Sequence, residues 1–262
     1  MASSSRFRIQ KQVSTHASVE VSERCGIRYL HLGSDIIQSA MRLARPNELE
    51  LSYTRCMMAF LLFVPAPEDV VLIGLGGGSL AKFIHFRLPN TRVTAVEINP
   101  QVVAAARRLF QLPDDSDRLR VKVDDGAAYV QSLSGSADAI LVDGYGGDCG
   151  APELGTVAFY EDCERALSDN GVLVLNLFSG RPRVEAQLCL LDRIFSGRLL
   201  CLRDERRGNL IVMAFVRSQG RPRWRLLGER AERLAQHYGL EFPAFVGRLR
   251  DVNPHDASCL FI

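Results

Sequence analysis

Residues 70–79 read VVLIGLGGGS, an apolar run that leads directly into a glycine-rich turn. A strand, such a turn and then a helical segment are typical of α/β folds that bind nucleotides, because glycines let the backbone approach a ligand closely. The start of the helix also favours hydrogen-bond acceptors and negative charge. A tight turn without a ligand would have the same sequence, so Gly74–Ser79 alone leaves both interpretations open.

The same pattern repeats along the middle of the chain. Helix-length segments alternate with runs rich in Val, Ile and Leu, as expected for strands buried on both faces of a parallel sheet. Those runs are RVTAVEI (92–98), LRVKVDD (119–125), ADAILVDG (137–144) and GVLVLNLF (171–178). Two further runs, 197–204 and 209–216, are separated by a link too short for a parallel crossover. We therefore predict an α/β fold with the Rossmann-like sheet of the class I S-adenosylmethionine-dependent transferases.

The N-terminal part has a different pattern. Residues 17–23 and 27–32 alternate apolar and polar side chains around Arg24-Cys25-Gly26, which predicts a β-hairpin. A dense apolar run from Arg55 to Phe63 follows and ends before Pro65. It predicts a helix that is buried in the core or in a subunit interface. We expect residues 1–66 to form a small β-hairpin and helix segment and residues 67–262 to form the nucleoside-binding catalytic domain.

Acidic side chains stand at the ends of three of the predicted strands. Glu97 ends the second strand, about 20 residues after the glycine turn, where dinucleotide folds place a carboxylate on a ribose. Asp125 precedes Gly126 at the end of the third strand, and Asp143 ends the fourth. Ligands of open α/β sheets bind outside the carboxyl ends of the strands, so these groups are expected in one crevice. Each carboxylate could instead cap a helix or form a turn.

Composition and charge argue against several classes of protein. The 262 residues carry 32 basic and 30 acidic side chains, a net charge of +2, which argues against a nucleic-acid partner. The apolar runs fall short of the roughly 20 residues that span a bilayer, so we expect no membrane association. The N-terminus lacks the apolar stretch of a signal peptide, which predicts a cytoplasmic protein. Seven cysteines without a Cys-x-x-Cys pair predict buried thiols and no metal site.

Taken together, these motifs resemble the spermidine synthase (polyamine aminopropyltransferase) family. The similarity runs from the glycine turn through Glu97, Asp125-Gly126 and Asp143, then through Pro152 and Phe159-Tyr160 to Gly171–Leu175. Upstream, Leu30-His31-Leu32 and Gln38-Ser39 resemble the family's N-terminal β-domain. The order of the motifs is consistent over roughly residues 28–216.

The resemblance implies a donor site and a base. Decarboxylated S-adenosylmethionine, or S-adenosylmethionine itself, would be held by a set of residues from the first half of the chain. They are Gln38, Gly76, Gly77, Gly78, Ser79, Glu97, Asp125 and Gly126. Asp143 would be the carboxylate that accepts a proton from the acceptor amine, and Tyr145 would orient that amine. The partner would be a small-molecule amine, no metal is expected, and a homodimer is one expected assembly because family members are commonly dimers or tetramers.

Departures from the family pattern concern the acceptor side. Gly78 and Gly146 stand where the family has aspartates, although Asp148 follows Gly146 closely. Tyr53-Thr54-Arg55 replaces the family's Tyr-His-Glu segment, and the positive charge of Arg55 is expected to disfavour a dicationic acceptor. Two alternatives share the fold: an S-adenosylmethionine-dependent methyltransferase and a non-catalytic nucleoside-binding protein.

Overall fold

The computed structural model describes residues 5–8, 18–144, 152–178, 183–204 and 208–262. Within these ranges the chain forms a four-stranded sheet, a seven-stranded sheet and helices on both faces of the larger sheet. The α/β class predicted from the alternation of apolar runs and helix-length segments is confirmed.

The smaller sheet comes from the N-terminal part of the chain. It has the order β1-β2-β3-β4 with antiparallel neighbours: β1 (Ser5–Arg8), β2 (Val19–Arg24), β3 (Ile27–Leu32) and β4 (Ile37–Arg42). Cys25 and Gly26 connect β2 to β3 with φ angles of 53° and 73°. Positive φ at both turn residues matches the twist of a two-residue hairpin, which confirms the predicted hairpin.

The larger sheet has the order β10-β11-β9-β8-β5-β6-β7. Its strands are β5 (Asp69–Ile73), β6 (Arg92–Glu97), β7 (Leu119–Val123), β8 (Ala137–Val142), β9 (Leu167–Phe178), β10 (Leu199–Arg203) and β11 (Asn209–Phe215). Neighbours from β7 to β9 are parallel, whereas β11 is antiparallel to both β9 and β10. The antiparallel pair follows from the short link between β10 and β11, as predicted.

Helices cover both faces of this sheet. On β5, Val70 and Leu72 point into one apolar core while Val71 and Ile73 point into the other, which explains the continuous apolar run in the sequence. The helices are α1 (Ser52–Met57), α2 (Ser79–Arg87), α3 (Pro100–Leu109), α4 (Gly126–Gln131), α5 (Val157–Ala166), α6 (Val184–Ile194), α7 (Trp224–Tyr238) and α8 (Phe242–Val252). Among the described residues, the helices are too short or too polar to cross a membrane.

The apolar run near residue 60 lies in the core. Met58–Leu62 form a 3₁₀ helix directly after α1, and every one of its side chains is buried. Helices α7 and α8 pack over this segment. Of the two interpretations of this run, core burial is therefore the one that the fold supports. The last part of the chain supplies the cover, because α7 and α8 also pack against each other.

Candidate active site

A cavity of about 240 Å³ opens at the carboxyl ends of the parallel strands. The chain runs from β5 through β6 to β7 and then returns to the other side of β5 with β8, so this edge contains the switch point of the sheet. Ligands of open α/β sheets bind at such switch points because the flanking loops diverge there. Residues that line the cavity include Gln38, Tyr53, Gly74, Leu75, Gly76, Ser79, Glu97, Asp125, Gly126 and Asp143.

Gly74 brings the glycine turn against the end of β8. Its φ angle is +94°, and a Cβ at this position would lie 2.6 Å from the carbonyl oxygen of Asp143. Only glycine combines that conformation with that close approach. Gly76 also has a positive φ of 52°, and Ser39 of β4 lies beside it. The turn therefore joins the switch point of the large sheet to the N-terminal sheet.

The other predicted glycines of the turn have a different role. A Cβ on Gly77 would lie 2.7 Å from Cδ1 of Phe110, and one on Gly78 would lie 2.8 Å from Cδ1 of Leu112. Of the predicted loop residues, Gly76 and Ser79 line the cavity within the described chain, whereas Gly77 and Gly78 pack toward the segment that follows α3. Gly78 also has a positive φ of 72°, directly before α2.

Glu97 is fixed at the end of β6 by two backbone donors. The amide of Leu75 donates to its Oε2 over 3.0 Å, and the amide of Asn99 donates to its Oε1 over 3.0 Å. A carboxylate has about four lone-pair directions, so both oxygens keep acceptor capacity toward the cavity. The two bonds hold the carboxylate in one orientation beside the glycine turn, which suits it to accept hydrogen bonds from a diol.

Asp125 caps a helix and lines the cavity at the same time. Its Oδ1 accepts a hydrogen bond of 2.9 Å from the amide of Ala128 at the start of α4. The capping interpretation of this carboxylate is thus confirmed, and the second oxygen keeps its acceptor capacity. Gly126 packs closely on β5, because a Cβ there would lie 2.5 Å from Cγ2 of Ile73.

Asp143 lines the cavity, and two side chains donate hydrogen bonds to its carboxylate. The Tyr53 hydroxyl donates to its Oδ2 over 3.0 Å, and Nδ2 of Asn176 donates to its Oδ1 over 2.8 Å. Burial raises the pKa of Asp143 to about 6, against the two hydrogen bonds, which lower it. A carboxylate with such a pKa is still ionised at neutral pH, and because it is a stronger base than an ordinary aspartate it accepts a proton from a bound donor more readily.

Sequence reasoning missed both partners of Asp143. Tyr53 belongs to α1, in the segment identified only as a departure from the family pattern. Asn176 is a polar residue inside the apolar run of β9, and this interruption near a strand's carboxyl end was a usable signal. Gln38, which was predicted, lies at the cavity, and its backbone carbonyl oxygen is 3.3 Å from the Tyr53 hydroxyl.

Arg55 forms an ion pair and is not part of the described cavity lining. Its Nε donates to Oε1 of Glu241 over 2.9 Å, so the guanidinium forms an ion pair with the residue that precedes α8. The described residues that line the cavity do not include Arg55. The charge that was expected to disfavour a dicationic acceptor is thus paired with Glu241, and its effect on the acceptor stays a prediction.

The remaining predicted site residues belong to the segment that follows β8. Tyr145, Gly146 and Asp148 lie outside the described residues, so the prediction that Tyr145 orients the amine stays a prediction. Among the residues that are described, no three His, Cys, Asp or Glu side chains lie close enough together to hold a metal ion.

Comparisons with known proteins agree with this geometry. The family model described as "Spermine/spermidine synthase domain" matches residues 50–187. A polyamine aminopropyltransferase of Chromobacterium violaceum is 46% identical over 257 residues, which cover 98% of each chain. A crystal structure of a probable spermidine synthase from Corynebacterium glutamicum has the same fold, with a TM-score of 0.73, 20% identity and 93% and 94% of the two chains covered. Human methyltransferase-like protein 13 in complex with SAH has a TM-score of 0.66 at 26% identity, covering 72% of this chain and 93% of that chain.

Proposed function

Because this chain belongs to the spermine/spermidine synthase family, we propose that it is a polyamine aminopropyltransferase. It moves an aminopropyl group from decarboxylated S-adenosylmethionine to a small-molecule amine. The observation that carries the proposal is the Asp143 carboxylate, which Tyr53 and Asn176 hold at the edge of a cavity suited to a nucleoside. A nucleoside-binding protein without a reaction has no need of a carboxylate with a raised pKa at this position.

The nucleoside half of the donor fits the cavity wall. Glu97 presents acceptor capacity on two fixed oxygens, which suits the two ribose hydroxyls. Asp125 keeps one oxygen for an amino group such as that of adenine. Gly74 and Gly76 line the cavity with backbone alone, so a planar base and a sugar can approach the main chain there. When bound, decarboxylated S-adenosylmethionine supplies a methylene carbon activated by a neighbouring sulfonium.

Asp143 prepares the acceptor. An alkylammonium has a pKa of about 10 and has no lone pair until it loses a proton. The ionised Asp143 attracts the ammonium, orients it by a hydrogen bond and accepts one of its protons. Tyr53 and Asn176 fix both carboxylate oxygens, so the proton acceptor lies in a single orientation relative to the cavity. Orientation of this kind contributes to the rate because the reacting groups are already aligned.

The transfer of the aminopropyl group needs only the donor and the acceptor amine. The neutral amine nitrogen forms a bond to the methylene carbon while the bond from that carbon to sulfur breaks. The electron pair of that bond stays on sulfur, which becomes the neutral thioether of methylthioadenosine. The product amine keeps its remaining protons, and the proton held by Asp143 leaves to solvent. One positive charge on sulfur is thus exchanged for one proton released.

Product analysis tests the proposal. The purified protein is incubated with decarboxylated or intact S-adenosylmethionine, each with and without a panel of di- and polyamines, and the nucleoside products are identified by mass spectrometry. We expect methylthioadenosine only when the decarboxylated donor and an amine are both present. The amine in the mixture that gives this product is the acceptor. S-adenosylhomocysteine formed from the intact donor would instead support methyl transfer, and no nucleoside product from any mixture would contradict both activities.

A further inference from the structure

Asp143 is linked through β9 to the antiparallel pair β10 and β11. Asn176 donates to Asp143 with Nδ2, and its Oδ1 accepts a hydrogen bond of 2.8 Å from Nδ2 of Asn209 at the start of β11. The carbonyl oxygen of Asn209 in turn accepts from the amide of Asp204, over 2.8 Å. The bond from Asn209 fixes which end of the Asn176 amide faces the carboxylate.

A second connection leads from Asp204 back to Asp143. Oδ2 of Asp204 accepts a hydrogen bond of 2.9 Å from the Ser52 hydroxyl. Ser52 is the first residue of α1, and its neighbour Tyr53 donates to Asp143. The two connections close a ring of hydrogen bonds and backbone that begins and ends at Asp143.

The Ser52–Asp204 bond is buried. Ser52 is 8% exposed and Asp204 is 4% exposed, although a buried carboxylate costs folding free energy unless its partners compensate. The two residues are 152 positions apart in the chain, so the bond ties the first turn of α1 to the large sheet. Leu51, which precedes α1, has an apolar side chain that cannot cap the helix, and the Ser52 hydroxyl binds Asp204.

We propose that Ser52 and Asp204 are positioning residues that hold α1 so that the Tyr53 hydroxyl points at Asp143. This inference rests on the proposed function, in which Asp143 is the base. Helix α1 has six residues, and a helix of that length has little stability of its own. Its orientation is therefore set by tertiary contacts, and the Ser52–Asp204 bond is the contact next to Tyr53.

The test compares two serines that each bind an aspartate. Ser52→Ala removes the bond to Asp204, and Ser168→Ala removes the bond of 2.9 Å from Ser168 to Asp138 at the opposite end of the sheet. We expect Ser52→Ala to lower kcat by roughly 2-fold to 10-fold with the affinity for methylthioadenosine unchanged. It should also move the acidic limb of the pH profile to higher pH, because Asp143 loses part of the donation from Tyr53. Ser168→Ala should change neither kcat nor the pH profile. Ser52→Thr keeps the hydroxyl, so its kcat and pH profile should match those of the parent protein.

A second measurement does not depend on turnover. Titration of the Asp143 carboxyl by NMR, with ¹³C-labelled aspartate, should give a higher pKa in Ser52→Ala than in the parent protein, and the same pKa in Ser168→Ala. Asn209→Ala opens the ring on the other side and should shift the titration in the same direction. The proposal fails if Ser52→Ala titrates like the parent, whatever the result for Asn209→Ala. An inactive parent protein whose Asp143 titration still responds to Ser52→Ala would contradict the proposed function alone.

The groups that share the site with Asp143 are accounted for in this titration. The other acidic residues that line the described cavity are Glu97, Asp125 and Glu153, and Tyr53 contributes a phenol hydroxyl. None of these residues is replaced in Ser52→Ala. A shift in the pKa of Asp143 therefore reports a change in the orientation of its hydrogen-bond donors. A shift of equal size in Ser168→Ala would mean that loosening of the sheet explains the effect, which overturns the positioning role.

Discussion

The Tyr53 hydroxyl donates a hydrogen bond of 3.0 Å to Oδ2 of Asp143, which lies 90 residues further along the chain. This bond connects the short helix after the N-terminal sheet to the switch point of the large sheet. It acts on the carboxylate in the direction opposite to burial, because a donor to the charged form lowers the pKa while desolvation raises it. The reactivity of Asp143 is therefore set by two parts of the fold together.

Replacement of Asp143 tests its role as the base. Asp143→Asn keeps the size of the side chain but cannot accept a proton from an ammonium, so we expect kcat to fall by about 100-fold to 10,000-fold. Binding of methylthioadenosine, measured by calorimetry, should change little because Glu97 and Asp125 remain. Asp138→Asn, at the other end of β8, is the matched control and should keep its turnover. An Asp143→Asn protein with normal turnover would exclude this carboxylate as the base.

Loss of the Tyr53 hydroxyl should appear in the pH dependence. In the parent protein, activity should fall as the pH drops through about 6, where Asp143 takes up a proton. Tyr53→Phe removes a donor to the charged carboxylate, so the pKa of Asp143 rises and this limb moves to higher pH. We expect kcat at neutral pH to decrease by about 10-fold. Tyr160→Phe removes a hydroxyl bonded to Gln187 and should leave the profile unchanged; an unshifted profile in Tyr53→Phe would contradict this account.

Gly74 should tolerate no side chain. Gly74→Ala would place a Cβ 2.6 Å from the Asp143 carbonyl oxygen, at a φ of +94°. We expect a loss of about 2–4 kcal/mol in the free energy of unfolding, measured with urea, together with loss of activity. Gly228→Ala is the control, because Gly228 lies within α7 with open space around its Cβ position. That substitution should stabilise the protein by about 0.5–1 kcal/mol, and equal effects at the two positions would disprove the steric argument.

Lys82 offers a prediction about stability at alkaline pH. Its ammonium is fully buried in α2 and donates to the carbonyl oxygens of Pro46 and Phe110 over 2.8 Å and 2.6 Å. Burial lowers the pKa of Lys82 from 10.5 to about 8. Between these values the unfolded chain holds a proton that the folded chain has released, so this group makes stability rise with pH.

The Lys82→Met variant removes both the hydrogen bonds of Lys82 and its titration, and the two losses appear at different pH. We expect it to lose about 1–3 kcal/mol near neutral pH, because two buried carbonyl groups lose their donor. It should also lack the gain in stability that Lys82 gives the parent protein from pH 8 to pH 10.5. Lys122→Met, at an exposed position, is the control. Parallel stability curves for the parent and Lys82→Met across this range would show that Lys82 does not titrate there.

The amino-acid sequence by itself determined the architecture and the acidic half of the site. Apolar runs interrupted by helix-length segments specify a parallel sheet, and its geometry brings strand ends together at one edge. Gly74, Glu97, Asp125 and Asp143 each follow or end a strand, so their meeting at the cavity was predictable without knowledge of distant contacts.

Only the tertiary structure decided which side chains control Asp143 and where the charge of Arg55 goes. Residues 52–62 are apolar or uncharged on most helical faces, so periodicity does not tell which way a short helix turns its side chains. That orientation is set by bonds between distant residues, from Ser52 to Asp204 and from Arg55 to Glu241. These contacts direct Tyr53 into the site and Arg55 out of it, because a six-residue helix follows its tertiary partners more than its own sequence.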